Sequence, residues 1–340
     1  MKRRAYLISG GCGFLGQHIV KAIHDYDPGA ELRVLDLYPR PTLLGIELLD
    51  QVKVVRCDLR QPETFVAQLA HVETVIHCAG MISFKGSSND PSCQANIASM
   101  RNLLQAAVDH KCEDFIFISS ISSVDFRPGR ISDETMVPDL EEKRLIDPYG
   151  YSKLVGERAL LAEKDRIRGV ILNPSVILGP GSPLIEKILR GLRWIPFCPM
   201  IQNTNSFVDV RDVARAVVLA LSKGTSGERY IVTTENMDNL TFMSMVLKQM
   251  GKKAPIFPAP QAVFSAYDSL LWLLKTMGSK NCLKNSAAII VDKAYSNAKI
   301  QQEMGWRPVY SLEETVRYMI RVSQEKDESK RQDHLAYGGL

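Results

Sequence analysis

The chain has 340 residues, enough for one large α/β domain and a smaller companion. With 45% hydrophobic and 24% charged residues it has a globular composition, not a disordered one. A net charge of +4, with no basic block and no basic-aromatic array, argues against nucleic acid as a partner.

Cys12, Cys57, Cys78, Cys93, Cys112, Cys198 and Cys282 are scattered with no close pair. That is the pattern of free thiols in a reducing compartment, not of a disulfide framework or a metal knuckle. No metal site is expected. Lys2, Arg3 and Arg4 precede only a short apolar run and a glycine-rich turn. A secretory leader is therefore not expected, and a cytoplasmic location is.

The first predicted strand is Ala5 to Ile8. Glycines follow at Gly10, Gly13 and Gly16, and then Phe14, Leu15, Ile19, Val20 and Ile23 recur on a helical repeat. Strand, glycine turn, helix is the layout of a dinucleotide site. Glycine lets the backbone turn sharply and approach a pyrophosphate, and the helix N-terminus presents unpaired N–H groups to that anion. A second strand, Leu32 to Leu35, ends in Asp36, twenty residues past Gly16. A carboxylate there can bind the adenosine ribose diol of NAD and would repel the 2′-phosphate of NADP. Arg40, close behind, keeps NADP within reach.

Further apolar runs end near Val55, Ile76 and Ile118, each followed by a polar turn and a helical pattern, and Val170 to Leu172 adds another strand. The alternation predicts a doubly wound parallel sheet with helices on both faces over residues 1–172. Pro174, Gly179, Pro180, Gly181 and Pro183 then form a breaker-rich passage into a smaller C-terminal α/β substrate region, 173–323. Segments near 206–232 are expected to complete the first domain. The apolar residues of 261–277 recur at helical intervals, interrupted by Asp268 and Lys275, so the run is too short and too charged to span a bilayer. A core or lid helix over an apolar pocket, an interfacial helix touching a membrane and a dimer contact all fit it. Residues 324–340 are charged and read as a frayed tail.

Two stretches carry chemistry. Tyr149 and Lys153 are four apart ahead of a helical pattern, which puts them on one face. An ammonium beside a phenol stabilises the phenolate, and such a tyrosine can exchange a proton with an alcohol or a carbonyl during hydride transfer. Tyr151 lies two residues from the lysine and would face elsewhere. The strand Phe115 to Ile118 ends in Ser119, Ser120, Ser122 and Ser123. A serine at the carboxyl end of such a strand can donate to the substrate oxygen.

Ser9, the glycine set, Asp36, Asp58, His77 to Gly80, Asn96, Ser119, Ser120, Tyr149 and Lys153 occur in the order used by extended short-chain dehydrogenases/reductases, and the chain resembles that family over about residues 3–322. Asn173 to Ser175, Gly179 to Gly181, Phe207 to Val213 and Gly305 to Pro308 extend the match. Within the family it looks most like the 3β-hydroxysteroid dehydrogenase group, with dihydroflavonol-reductase-like enzymes as neighbours. The resemblance implies Ser120 as catalytic serine, Tyr149 as acid/base and Lys153 as its partner on the nicotinamide ribose. It implies cofactor contacts from Gly10, Gly13, Phe14, Leu15, Gly16, Asp36, Asp58, Leu59, Ala79, Gly80, Pro174 and Ser175. It also implies a homodimer through a four-helix contact, and peripheral membrane contact through 261–277. Asn173 stands where many sugar-nucleotide members carry arginine.

The expectation is an NAD(H)-dependent oxidoreductase acting on an apolar, steroid-like secondary alcohol or ketone. Isomerase activity, as in some steroid enzymes, would need a second proton-shuttling group that spacing does not identify. The alternatives are a dihydroflavonol-type reductase, a sugar-nucleotide epimerase or dehydratase, and a non-catalytic cofactor sensor.

Overall fold

The computed structural model describes residues 3–39, 52–82, 90–127, 129–192, 194, 198–200, 202–258 and 292–337. The segment 261–277, Arg40 and Cys282 lie outside the described residues.

In chain order the strands are β1 (Ala5–Ser9), β2 (Glu31–Asp36), β3 (Val52–Arg56), β4 (Thr74–His77), β5 (Asp114–Ile118), β6 (Ile131–Ser132), β7 (Arg168–Pro174), β8 (Val176–Leu178), β9 (Cys198–Met200), β10 (Thr204–Asp209), β11 (Arg229–Val232), β12 (Glu235–Asp238), β13 (Ile256–Pro258) and β14 (Ala294–Tyr295). The helices are α1 (Phe14–Tyr26), α2 (Pro91–Asp109), α3 (Leu140–Ile146), α4 (Pro148–Ala162), α5 (Pro183–Leu192), α6 (Val210–Lys223), α7 (Asn239–Gln249), α8 (Ala298–Met304) and α9 (Leu312–Tyr337).

Seven strands form one sheet in the order β11-β7-β5-β4-β1-β2-β3. Every pairing in it is parallel; Ile8, for instance, lies opposite Val34 on one side and Ile76 on the other. Strands buried on both faces explain the unbroken apolar runs. Side chains alternate between the faces. Tyr6 and Ile8 enter a core shared with α1 and α6, while Leu7 joins Phe115 and Phe117 in a second core with α2. The strand order reverses between β1 and β4, and the crevice beyond their carboxyl ends is where such sheets bind ligands.

Local sequence starts the key helices. Asp90 accepts a hydrogen bond from Ser92 N with Pro91 at the first position of α2, and Asp147 accepts one from Gly150 N (2.9 Å) with Pro148 opening α4. Proline in the first turn loses no intrahelical bond, so each boundary is sharp.

Beyond β7, β10 lies between β8 and β12 in a small sheet. Helices α5, α7 and α9 cover a separate core with Ile185, Leu189, Phe207, Leu247 and Val316. β11 extends the main sheet beside β7, and α6 packs on α1. Ile300, Met304 and Trp306 also enter the first core. Trp306 is fully buried and donates to the Asp212 carbonyl (3.0 Å), while the Asp212 carboxylate accepts from the N–H groups of Val309 and Tyr310.

α9 continues through residues 324–337, which the composition assigned to a frayed end. Charge without apolar residues does not prevent a helix: Glu, Lys, Gln and Arg are good helix formers. Pairs one turn apart, Arg317 with Glu313 (3.2 Å) and Arg321 with Glu325 (3.9 Å), support it. No helix among the described residues is long and apolar enough to cross a membrane.

Candidate active site

The glycine turn is tightly built. Gly10 has φ +71°, and its N–H donates to the Leu35 carbonyl (2.7 Å). A Cβ on Gly10 would sit 2.7 Å from Ala79 Cα, and one on Gly16 would run into the Gly10 carbonyl oxygen. Gly13 caps α1 without a side-chain bond, and the first turn carries no acid. The N–H groups at the start of α1 therefore have no side-chain competitor, as an anion site requires. Leu15 is buried, and Phe14 packs toward Gly179 and Gly181. Asp36 stands beside this turn, accepting from Cys12 N and Tyr38 N, each at 3.0 Å.

Asp58 and Leu59 follow β3. Asp58 is gripped by Arg60, with contacts of 2.5 Å and 2.9 Å, and that hydrogen-bonded guanidinium lowers the pKa of its carboxyl. Leu59 buries its side chain in the second core, and its carbonyl accepts from Asn102 (3.0 Å). Ala79 and Gly80 extend from β4 over the mouth of the sheet. A Cβ on Gly80 would lie 3.2 Å from Lys153 Nζ, so the cofactor-loop positions and the chemical positions adjoin. Pro174 ends β7. Ser175 is 5% exposed, and its Oγ is buried with no hydrogen-bond partner. An orphaned hydroxyl there, a cradle that only glycine fits and an uncapped helix start together suit a dinucleotide laid across the crevice.

Ser120, Tyr149 and Lys153 meet at the carboxyl end of β5. Tyr149 is half-buried, and burial raises its pKa while a hydrogen bond from Ser120 opposes the rise. Lys153 is 5% exposed, and burial pushes its pKa down to about 8. The lysine does not reach the phenol directly. Its Nζ donates to the Ile118 carbonyl (2.8 Å) and lies 6.0 Å from the centre of the Tyr149 ring. The expected lowering of the phenol is thus outweighed here by desolvation. Tyr151 faces away, lining a surface groove of ≈ 430 Å³ with Gln94, Arg101 and Arg158.

Other groups hold this centre in shape. His77 is buried, shares a 2.7 Å hydrogen bond with Ser9 and stacks on Phe117 at 5.6 Å. Burial pushes its pKa down to about 3, so it is a neutral packed residue. Asn96 accepts from Met81 N (2.8 Å) and donates to its carbonyl (2.9 Å), tying the loop after β4 to α2.

The model of the NAD-dependent epimerase/dehydratase family matches residues 6–233. The chain belongs to that family. It is an NAD-dependent enzyme of the extended short-chain dehydrogenase/reductase type. A 3 beta-hydroxysteroid dehydrogenase type 7 of Rattus norvegicus is 32% identical over 330 residues, covering 91% of this chain and 92% of the relative. A UDP-glucose 4-epimerase of Vibrio cholerae is 22% identical over 330 residues, covering 92% and 93%. Among solved structures, the NAD complex of the Thermus thermophilus UDP-glucose 4-epimerase superposes with a TM-score of 0.72 at 24% identity, covering 94% and 99%.

Sequence reasoning passed over a buried polar cluster beneath Ser120. Glu157 is fully buried, and its Oε1 accepts from Ser119 (2.5 Å), Ser123 (2.5 Å) and Asn173 (2.7 Å). Arg229 lies 3.0 Å from its Oε2. The signal was present: Glu157 continues the four-residue spacing of Tyr149 and Lys153 along α4. Arg229, on a strand far along the chain, had no local signal.

Proposed function

We propose that the enzyme interconverts a secondary alcohol and a ketone on an apolar ring substrate, with a 3β-hydroxysteroid or sterol first. The observation that supports this most is the meeting of Ser120, Tyr149 and Lys153 next to Gly80, at the carboxyl end of the sheet. Bound NAD supplies the hydride acceptor or donor. Ser120 donates a hydrogen bond to the reacting oxygen, and Tyr149 exchanges the proton with that oxygen. Burial keeps the phenol protonated, which suits proton donation to a ketone; the nearby Lys153 ammonium favours the opposite direction by stabilising phenolate. The contacts assigned above to Gly10, Gly13, Phe14, Leu15, Gly16, Asp36, Asp58, Leu59, Ala79, Gly80, Pro174 and Ser175 belong to this reading.

The relatedness to a named 3 beta-hydroxysteroid dehydrogenase supports the steroid class. The sugar-nucleotide alternative draws on the Vibrio epimerase. Against it, Asn173 is buried at 0% exposure and spends its amide on Glu157, Ser123 and the Ser120 carbonyl. It leaves no charge for a diphosphate. A homodimer through the adjacent α2 and α4 is part of the proposal and is tested by sedimentation equilibrium. Membrane contact through 261–277 is tested by vesicle flotation.

The deciding experiment follows NADH at 340 nm with dehydroepiandrosterone, cholesterol and UDP-glucose. Tyr149→Phe should lower steroid turnover by about 100-fold or more while NADH binding stays within twofold of the parent, at about 0.4 kcal/mol. Full activity in the mutant, or hydride exchange with UDP-glucose alone, would overturn the reading.

A further inference from the structure

We infer that Glu157 is a positioning residue for Ser120, acting through the peptide that carries the serine. The inference rests on the proposed role of Ser120. Its geometric basis does not.

The Ser120 carbonyl accepts from Asn173 Nδ2 (3.0 Å) and lies 2.7 Å from Ser123 Oγ, whose single hydrogen is shared between this carbonyl and Glu157 Oε1. Asn173, with two amide hydrogens, also donates to Glu157 Oε1, and Ser123 Oγ stands 2.5 Å from the same oxygen. One carboxylate oxygen therefore sets where the two groups stand that clamp the Ser120 peptide. Ser119, the residue before, donates to the same oxygen. The side chain of Ser120 meanwhile accepts from Ser122 N (3.1 Å), so its rotamer is coupled to the short turn that follows.

The carboxylate suits this task in a way an amide does not. Three donors converge on Oε1, while Arg229 faces Oε2, itself on β11 at the edge of the sheet. A carboxylate accepts on both oxygens; glutamine would turn an NH2 toward donors on one side or the other. The cluster joins α4, the loop after β5, β7 and β11; Glu157, Ser119, Ser123 and Asn173 are buried and Arg229 half-buried, so its geometry has little freedom to relax. A reacting oxygen held by Ser120 needs that hydroxyl in one position, and a misplacement near 1 Å costs about 100-fold in rate.

The test uses Glu157→Gln in the full chain. Hydrogen exchange read by mass spectrometry should accelerate about tenfold or more in the peptide covering 118–124 and stay unchanged in that covering 5–9. Unchanged exchange at 118–124 overturns the inference, and this readout needs no substrate. With dehydroepiandrosterone and NAD, kcat should fall about 100-fold with the NADH Kd unchanged. Glu157→Gln combined with Ser120→Ala should be no slower than Ser120→Ala alone, because both remove the same contact. Additive losses would mark a general structural role and refute the inference. The double variant Glu157→Gln with Arg229→Met removes both charges of the pair; it should regain thermal stability without regaining kcat. Recovery of kcat together with stability would also refute it. Full activity in Ser120→Ala, by contrast, would defeat the functional reading and leave the exchange result to stand on its own.

Discussion

Lys153 should make the stability of the nucleotide-free enzyme rise with pH. Its ammonium is 5% exposed, and burial takes its pKa from 10.5 to about 8. The unfolded chain keeps the ordinary value. Between these two pH values the unfolded state therefore binds more protons than the folded one, and stability climbs as pH rises through the window. Below it the full cost of burying the charge is present. At about 1.4 kcal/mol per pH unit the cost is about 3 kcal/mol. Lys153→Met keeps most of the stem volume and deletes the charge, but it also deletes the bond to the Ile118 carbonyl, worth about 1 kcal/mol. The variant should thus be more stable than the parent by about 2 kcal/mol at about pH 7, and the advantage should fall to near zero by about pH 10. Tyr149, with its pKa raised by burial, works in the opposite sense only at higher pH and is present in both proteins. Urea unfolding of parent and variant, from about pH 7 to about pH 10, measures the difference directly. A difference that stays constant across that range would show that Lys153 is not held as a desolvated cation, and the reasoning would fail.

Gly10→Ala combines a left-handed backbone, about 1–2 kcal/mol, with a Cβ 2.7 Å from Ala79 Cα, about 1–3 kcal/mol of overpacking. Calorimetry should show a lowered Tm, and titration with NADH should show no saturable binding. Trp306→Ala should cost about 3–5 kcal/mol, because a fully buried indole and its bond to Asp212 are lost together; guanidinium unfolding checks it. Asp36→Asn removes the charge that disfavours a 2′-phosphate, so the ratio of NADPH to NADH dissociation constants should fall, as read by fluorescence titration.

The cofactor half was legible because its signals are local. Gly10 takes a left-handed backbone and Gly16 abuts the Gly10 carbonyl, constraints that act over a few residues, and the apolar runs of parallel strands need no partner to be recognised. Tyr149 and Lys153 share a helix, so their spacing alone placed them on one face. What escaped depends on contacts made across the chain. Arg229 meets Glu157 only because β11 docks beside β7, and the Trp306–Asp212 contact joins residues ninety-four positions apart. The helical course of 324–337 rests on residue types that favour helix although the segment is charged and poor in apolar groups. The relation of Lys153 to the phenol was also misjudged, since spacing reports a shared face and not which acceptor, here the Ile118 carbonyl, wins the ammonium.

The burial of Trp306 has a consequence for how the polypeptide matures on the ribosome. The first core receives Ile300, Met304 and Trp306, residues far downstream of the strands they pack against. The outer rim of the main sheet, formed by a strand from 229–232, is covered by residues 298–304, which follow it much later in the chain. Nascent chains released early would present bare apolar surface along that rim, and their fate would be to aggregate or be degraded, so truncation should be far less forgiving at 295 than its distance from the nucleotide turn suggests.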